Sequence, residues 1–300
     1  MSSWSEKMMK ALDDRSTMLE TEHGLVQVAR EGNGSKVLSI HGSPGGFDQG
    51  LAWAQHLRNG GCELIAPSRP GYLRTPLESG RTPSEQADLY AAMLDTLLID
   101  KVTVLGISSG GPSAVHFAAR HPHRTNALLL DAAVLLPIAP TGNKIERTIM
   151  FSKIGIRAYL QVGARWPKLA AADFVSKLST GLHKESRREA VRWVTSDSER
   201  LNNIGELLAS LAPREFRESG HMNDEMNEID LEPLPFEEIT MSTLITQGTH
   251  DAFPLMEHAT SAAEKIAESE LILVEEGHHG LPFCPKAGPS IERQLELALS

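Results

Sequence analysis

The chain has 300 residues, of which 41% are hydrophobic and 23% are charged, an ordinary balance for a globular protein with a full core. Its formal charge of −10 argues against nucleic acid and anionic membrane surfaces as partners, because both attract basic proteins. Cys62 and Cys284 are too few for a disulfide framework, and neither lies in a zinc-binding spacing. The N-terminus lacks the apolar core of a signal peptide, and no apolar run reaches the ~20 residues of a membrane span. We therefore expect a cytoplasmic protein.

Short apolar runs alternate with amphipathic helical patterns along most of the chain. Residues 1–16 predict a polar helix or arm, and the alternation over 17–31 predicts a β-hairpin. Further strands are predicted at 36–41, 63–66, 101–105, 125–131, 242–247 and 270–275. Helices are predicted at 47–58, 84–98, 112–121, 255–267 and 289–299. This order predicts the α/β class, with a mostly parallel twisted sheet flanked by helices.

A helical block interrupts the alternation between the strands at 125–131 and 242–247. We predict one core domain formed by residues 17–136 and 236–300, with an inserted helical cap at 137–235 and an N-terminal arm at 1–16. The cap is expected to close over a substrate pocket, and packing within the cap is the simpler role for each of its apolar residues. The candidates for pocket lining are Ile149, Phe151, Tyr159, Leu160 and Trp166.

Residues 101–121 contain a strand, the sequence Gly-Ile-Ser-Ser-Gly at 106–110, and a helix. In this context the G-x-S-x-G pattern predicts a nucleophile elbow, with Ser108 on a strained turn at the end of the strand. Small residues are needed on both sides because backbones approach closely there. The helix that follows directs its N-terminal N–H groups toward the reacting centre. A register shifted to Ser109 would place Ile107 where a small residue belongs, so Ser108 is the favoured nucleophile.

A serine nucleophile needs a base, and the base needs a carboxylate to orient it. Asp251 follows the strand at 242–247 and is our candidate acid; Asp131, at the end of another strand, is the alternative. His278 follows the strand at 270–275 and is our candidate base, with Gly277 allowing the backbone to turn. His279 is its immediate rival. All of these stand at carboxyl ends of predicted strands, where open α/β sheets place their ligands.

The tetrahedral intermediate needs N–H donors for its oxyanion. The backbone N–H of Ser109, directly after the nucleophile, is one candidate. The second is the N–H of Ser43 in the sequence His-Gly-Ser-Pro-Gly-Gly at 41–46, because Pro44 has no N–H to donate. His41 is interpreted as a buried structural histidine. The loop matches neither of the glycine-rich phosphate-binding motifs.

Together these motifs resemble the α/β-hydrolase fold superfamily, in its cap-bearing group of esterases, proline iminopeptidase-like enzymes, carbon–carbon bond hydrolases and cofactor-free haloperoxidase-like proteins. The matching sequences are HGSPGG at 41–46, SRPGY at 68–72, GISSGG at 106–111, GTHDAFP at 248–254 and EGHHG at 276–280. The order Ser108, Asp251, His278 is the order of the triad in that fold. Haloalkane dehalogenases and soluble epoxide hydrolases carry aspartate at the nucleophile position, which is serine here. Ser109 stands where proline iminopeptidases usually carry a bulky aromatic residue.

The resemblance implies a serine hydrolase that cleaves a small to medium acyl substrate, most simply a carboxylic ester, through an acyl-enzyme intermediate. It implies no cofactor and no metal. A peptidase or amidase that releases an N-terminal residue is an alternative, and the acidic stretch from Asp224 to Glu238 offers carboxylates for a substrate ammonium group. A ligand-sensing protein on the same fold is another. The expected partner is a small molecule, and a homodimer is compatible with the sequence.

Overall fold

The computed structural model describes residues 3–138 and 153–300. Eight strands form one sheet in the order β1-β2-β4-β3-β5-β6-β7-β8. The pairs β1–β2 and β2–β4 are antiparallel, and the other pairs are parallel. The predicted α/β class, hairpin and mostly parallel sheet are therefore confirmed. The strands are β1 Thr17–Thr21, β2 Gly24–Gly32, β3 Ser35–Ile40, β4 Cys62–Pro67, β5 Val102–Ile107, β6 Thr125–Asp131, β7 Thr243–Gly248 and β8 Ser269–Val274.

The helices of the described residues flank this sheet or lie between β6 and β7. The predicted helix at 47–58 is divided at Ala54 into two short helices. The flanking helices are α1 Trp4–Asp13, α2 Phe47–Trp53, α3 Gln55–Asn59, α4 Pro83–Thr96, α5 Gly111–Arg120, α11 Met256–Lys265 and α12 Gly288–Leu299. Those between β6 and β7 are α6 Lys153–Arg165, α7 Pro167–Leu178, α8 Lys184–Thr195, α9 Ser198–Ala209 and α10 Glu218–Ile229.

Both faces of the sheet are buried, because successive side chains of each strand point to opposite faces. Leu38 and Leu130 belong to the core formed with α4, α5 and α11. Their neighbours Val37 and Leu129 belong to the core formed with α1, α2, α3 and α12. The N-terminal segment is a docked helix, because Met9 on α1 is 1% exposed in this second core.

The segment between β6 and β7 contains helices and no strand among its described residues. Val175, Ala190 and Ile204, from α7, α8 and α9, extend the core on the face of α2. Of the predicted pocket residues, Ile149 and Phe151 lie outside the described residues.

The other three predicted pocket residues, Tyr159, Leu160 and Trp166, lie in the described part of the chain. The Tyr159 hydroxyl donates to the Asp173 carboxylate at 2.6 Å, and Leu160 is half-buried. Trp166 is 55% exposed, and its ring contacts the Arg165 guanidinium. No helix in the described ranges is both long and apolar enough to cross a bilayer.

The register of the sheet brings several strand ends to one edge. Ile107 of β5 is paired with Asp131 of β6, and Asp131 is paired with Thr246 of β7. Gly248, the last residue of β7, is paired with Val274 of β8. The loops that follow these strands therefore start side by side, and they carry most of the predicted site residues.

Candidate active site

Ser108 lies in the predicted strand–turn–helix, directly between β5 and α5. Its φ of 49° is in the left-handed region, where a residue other than glycine is strained. The neighbouring glycines permit this turn: a methyl group on Gly110 would lie 2.4 Å from the Ile40 carbonyl oxygen. One on Gly106 would lie 2.5 Å from the Ala114 Cβ. The strained conformation is the one expected of a nucleophile elbow.

The loop after β3 lies directly against Ser108. A methyl group on Gly42 would lie 2.9 Å from the Ser108 Cβ, so only glycine allows this approach. The next residue, Ser43, hydrogen-bonds through its hydroxyl to the Tyr72 hydroxyl at 2.9 Å and to the His221 Nδ1 at 2.8 Å. The Ser43 N–H has no hydrogen-bond acceptor among the residues 3–138 and 153–300. Within this part of the chain it is therefore free to donate to a ligand beside Ser108.

Asp251 follows β7 and is completely buried at its side chain. One oxygen, Oδ1, accepts the N–H of Phe253 at 2.9 Å, a turn that fixes the carboxylate. The other, Oδ2, is 2.9 Å from the Nδ1 of His279. In this structure His279, the predicted rival, makes the contact with Asp251, and His278 does not.

His278 has a different environment, fully buried beside Cys284. Its Nδ1 accepts the Gly280 N–H at 3.2 Å, so the neutral ring carries its proton on Nε2 and has no lone pair there. That Nε2 has no hydrogen-bond partner within the described residues. Burial lowers the pKa of His278 to about 4, although the Asp251 charge opposes this. The ring is therefore neutral near pH 7, and it lacks the acid partner of a catalytic base.

The backbone of the loop explains which histidine reaches Asp251. Glu276 adopts a φ of 51°, so this residue, and not Gly277, makes the left-handed turn after β8. Gly277 is needed for close approach instead, because a methyl group on it would lie 2.9 Å from the Gly248 Cα. The turn directs His278 into the interior and His279 toward the loop after β7.

His279 lies in a largely apolar setting with 13% of its side chain exposed. Its ring centroid is 5.0 Å from that of Phe253 and 6.0 Å from that of Trp53. Burial lowers the pKa of His279, but the charge and hydrogen bond of Asp251, aided by Asp131 and Glu228, raise it above its ordinary value. The ring therefore has both a fixed orientation and a basic character.

Asp131, the alternative acid, is committed to other donors. Its Oδ2 accepts the Trp53 indole N–H at 2.5 Å, and its Oδ1 accepts the Gln294 amide at 3.1 Å and the Thr246 hydroxyl. Burial raises the pKa of Asp131, while these hydrogen bonds lower it. No histidine ring is among its hydrogen-bond donors in the described part of the chain.

His41 has the structural role that the sequence predicts. It is completely buried, and its Nε2 accepts the Arg69 N–H at 2.9 Å. Its Nδ1 therefore carries the proton and donates to the Gly42 carbonyl at 2.7 Å. Burial and the Arg69 charge lower the pKa of His41 well below its ordinary value. This histidine shapes the loop and remains neutral.

Two carboxylates of α10 belong to the site although the sequence marks only an acidic stretch there. Asp224 forms a two-point ion pair with Arg69 and accepts the Tyr72 hydroxyl at 2.5 Å. Glu228 faces the hydroxyl of Ser109, the residue directly after Ser108. Asp224 and Glu228 are four residues apart, so they lie on the same face of a helix. This spacing is the feature of the sequence that could have identified them as a pair.

The profile of the alpha/beta hydrolase family matches residues 37–287. The chain belongs to the alpha/beta hydrolase family. The match includes the elbow and the loops that carry Asp251 and His279. The predicted superfamily is thereby confirmed.

Three individual proteins are also similar to this chain. A solved alpha/beta hydrolase fold protein from Nakamurella multipartita is 37% identical, with a TM-score of 0.88 over 95% of this chain and 99% of that chain. The uncharacterized hydrolase YcgS of Bacillus subtilis (strain 168) is 36% identical over 37% of this chain and 39% of its own length. A 2-hydroxy-6-oxononadienedioate/2-hydroxy-6-oxononatrienedioate hydrolase of Pseudomonas putida is 27% identical over 82% of this chain and 84% of its own. The first curated relatives, including YcgS, are thus matched over less than half of their length.

Proposed function

We propose that the protein is a serine hydrolase that cleaves a small to medium carboxylic ester through an acyl-enzyme intermediate. Ser108 is the nucleophile, His279 the general base and Asp251 the residue that orients it. The observation that carries this proposal is the 2.9 Å contact between His279 and Asp251, at the sheet edge where Ser108 occupies its strained turn. The base in this proposal is thus His279, the rival of the predicted His278.

The tautomer of His279 follows from its contact with Asp251. A carboxylate only accepts, so the Nδ1 of His279 carries a proton and donates it to Asp251. The Nε2 then has a free lone pair for the Ser108 proton. As Ser108 attacks the ester carbonyl, this proton moves to Nε2 and then to the departing alkoxide. Water, deprotonated by the same nitrogen, releases the acid and restores the serine.

The oxyanion is assigned to the backbone N–H groups of Ser43 and Ser109. The Gly42 approach places the loop of Ser43 beside the nucleophile. Ser109 precedes α5, whose ten residues direct their positive N-terminal end toward the same point. Preorganised donors of this kind lower the barrier by about 3–4 kcal/mol for each donor in other hydrolases.

Hydrolysis of a carbon–carbon bond beside a ketone is a second candidate, favoured by the match to the Pseudomonas putida hydrolase over 82% of this chain. Both reactions can use the same nucleophile and base, and they differ in the bond that breaks: an ester releases an alkoxide, whereas the ketone releases a carbanion that must be protonated on carbon. The proposed ligand-sensing alternative requires no turnover at all.

A chain-length series of p-nitrophenyl esters tests the proposal. We expect turnover of the shorter esters and a loss of about 10³-fold or more in kcat for Ser108→Ala, because no other hydroxyl replaces the nucleophile. Ser84→Ala is the matched control, since its hydroxyl hydrogen-bonds to the Thr82 hydroxyl at the exposed start of α4.

Labelling by a fluorophosphonate reports the nucleophile independently of substrate choice. Labelling of the parent protein and not of Ser108→Ala, with no ester turned over, would favour the sensor. Equal ester turnover in the parent protein and in Ser108→Ala would contradict the proposal that Ser108 is the nucleophile of an esterase.

A further inference from the structure

The carboxyl group of Glu228 reaches the reacting centre from α10. It faces the hydroxyl of Ser109, the residue directly after the nucleophile. Its Oε1 is buried and has no hydrogen-bond partner within residues 3–138 and 153–300. Buried carboxylate oxygens almost always have a partner, so an unpaired one beside a nucleophile calls for a ligand.

The position of Glu228 is fixed by the helix that carries it. One turn earlier, Asp224 is held by the buried Arg69 guanidinium and the Tyr72 hydroxyl. At Glu228 itself, the backbone carbonyl accepts the Ile138 N–H at 2.9 Å. The carboxyl is therefore held in place at the site and does not lie on a mobile surface.

Both negative and positive side chains lie around Glu228, and they shift its pKa in opposite directions. From its own helix it faces the negative groups Asp224 and Glu225, and from the loop after β4 it faces Arg69. The Arg69 charge is already matched by its two-point pair with Asp224. Burial and the Asp224 charge raise the pKa of Glu228 to about 7, while Ser109 and Arg69 act in the opposite direction. His279, across the site, also interacts with this carboxyl.

We propose that Glu228 is a substrate-binding group that selects the acyl part of the ester. Its unpaired oxygen accepts a hydrogen bond from a hydroxyl or ammonium group next to the scissile carbonyl. The same carboxylate repels acyl groups that carry a carboxylate, because the Arg69 guanidinium that faces it is already paired with Asp224. This inference rests on the proposed ester hydrolysis and names the substrate class of that site.

Four methyl esters of similar size test the inference: methyl butanoate, methyl 2-hydroxybutanoate, methyl 2-aminobutanoate and monomethyl succinate. We expect the parent enzyme to prefer a donor-bearing ester over methyl butanoate by about tenfold or more in kcat/KM, and to disfavour monomethyl succinate by a similar factor. Glu228→Gln keeps the size of the side chain and removes its charge. We expect it to lose both the preference for donors and the discrimination against monomethyl succinate, each measured as the ratio of kcat/KM to that of the same variant for methyl butanoate.

Glu232→Gln is the matched control, because Glu232 is exposed in the segment after α10. A loss confined to the amino ester would identify an ammonium group as the ligand, and a loss confined to the hydroxy ester a neutral hydroxyl. Ratios among the four esters that are the same in Glu228→Gln and the parent enzyme would overturn the inference. If no ester is hydrolysed in a Ser108-dependent manner, the proposed function fails, which is a separate result.

The parent enzyme alone provides a second test, should Glu228→Gln fold poorly. The ratio of kcat/KM for monomethyl succinate to that for methyl butanoate cancels the titration of the catalytic base. We expect this ratio to fall by several-fold between about pH 6 and about pH 8, because Glu228 becomes charged across that range. A ratio that stays constant would contradict the role of Glu228.

Discussion

Asp131 ends β6 and Asp251 follows the neighbouring strand β7, and both are buried, yet their hydrogen-bond partners differ in kind. Asp131 accepts hydrogen bonds from an indole, an amide and a hydroxyl. Asp251 accepts one backbone N–H and gives its other oxygen to an imidazole. Burial of a carboxylate at a strand end is therefore not a sign of catalysis. The partner decides: neutral donors fix a carboxylate in the core, whereas an imidazole couples it to a reaction.

The largest expected effect is the difference in kcat between variants of His279, which contacts Asp251, and variants of His278, which does not. We expect His279→Ala to lower kcat by about 10³-fold or more, because it removes the base that Asp251 orients. His278→Ala should lower the free energy of unfolding and leave kcat much closer to that of the parent enzyme. Ester turnover and chemical denaturation of both variants measure the contrast. A large loss of kcat in His278→Ala, with little change in His279→Ala, would identify His278 as the base.

Substitution of the two aspartates tests the comparison directly. We expect Asp251→Asn to lower kcat by about 10³–10⁴-fold, because the amide favours the wrong tautomer of His279. Asp131→Asn should cost about 1–3 kcal/mol of stability, since one of its donors then faces an amide N–H group. Kinetics and urea unfolding on the same preparations give both values. A kcat effect of similar size in the two variants would show that Asp131 also takes part in the reaction.

The pH dependence of kcat/KM gives a smaller, graded test. The pKa of His279 is raised above its ordinary value of 6.5, and only the neutral ring accepts a proton. We therefore expect activity to be full at higher pH and to fall, by about tenfold per pH unit, as the pH drops below the pKa of His279. If His278 were the base, its pKa of about 4 would keep the rate flat through neutral pH.

The smallest expected effect is that of Trp53→Phe. The indole N–H is one of the donors to Asp131, and its loss leaves a buried carboxylate oxygen without that donor. We expect the free energy of unfolding to fall by about 1–3 kcal/mol, with a several-fold change in kcat because the ring also contacts His279. Thermal unfolding with and without a bound ester analogue checks this. A change in kcat larger than that of Asp251→Asn would contradict the assignment.

Most of the fold could be predicted because buried parallel strands leave a direct pattern in the sequence. The strands predicted at 125–131 and 270–275 occur at Thr125–Asp131 and Ser269–Val274. The elbow was predictable for a similar reason, since its glycines at 106 and 110 are required by contacts within the motif and with the adjacent strand β3. In each case the pattern lies within a short stretch of sequence.

Two features of the site depend on contacts that the sequence does not display. The choice between His278 and His279 is made by the left-handed backbone of Glu276, a residue type that gives no sign of that conformation. Glu228 acquires its role only when α10 lies beside the elbow, and that contact joins residues far apart in the chain. Local patterns thus predict the strand ends, whereas the tertiary fold selects which side chains meet there.

The ion pair between Arg69 and Asp224 has a consequence for how substrate reaches Ser108. Both side chains are 3% exposed, so withdrawal of α10 would break a buried ion pair. It would also remove the Asp224 oxygen that accepts the Tyr72 hydroxyl, which in turn contacts Ser43 in the loop beside Ser108. We therefore expect α10 to stay docked while substrate enters and products leave.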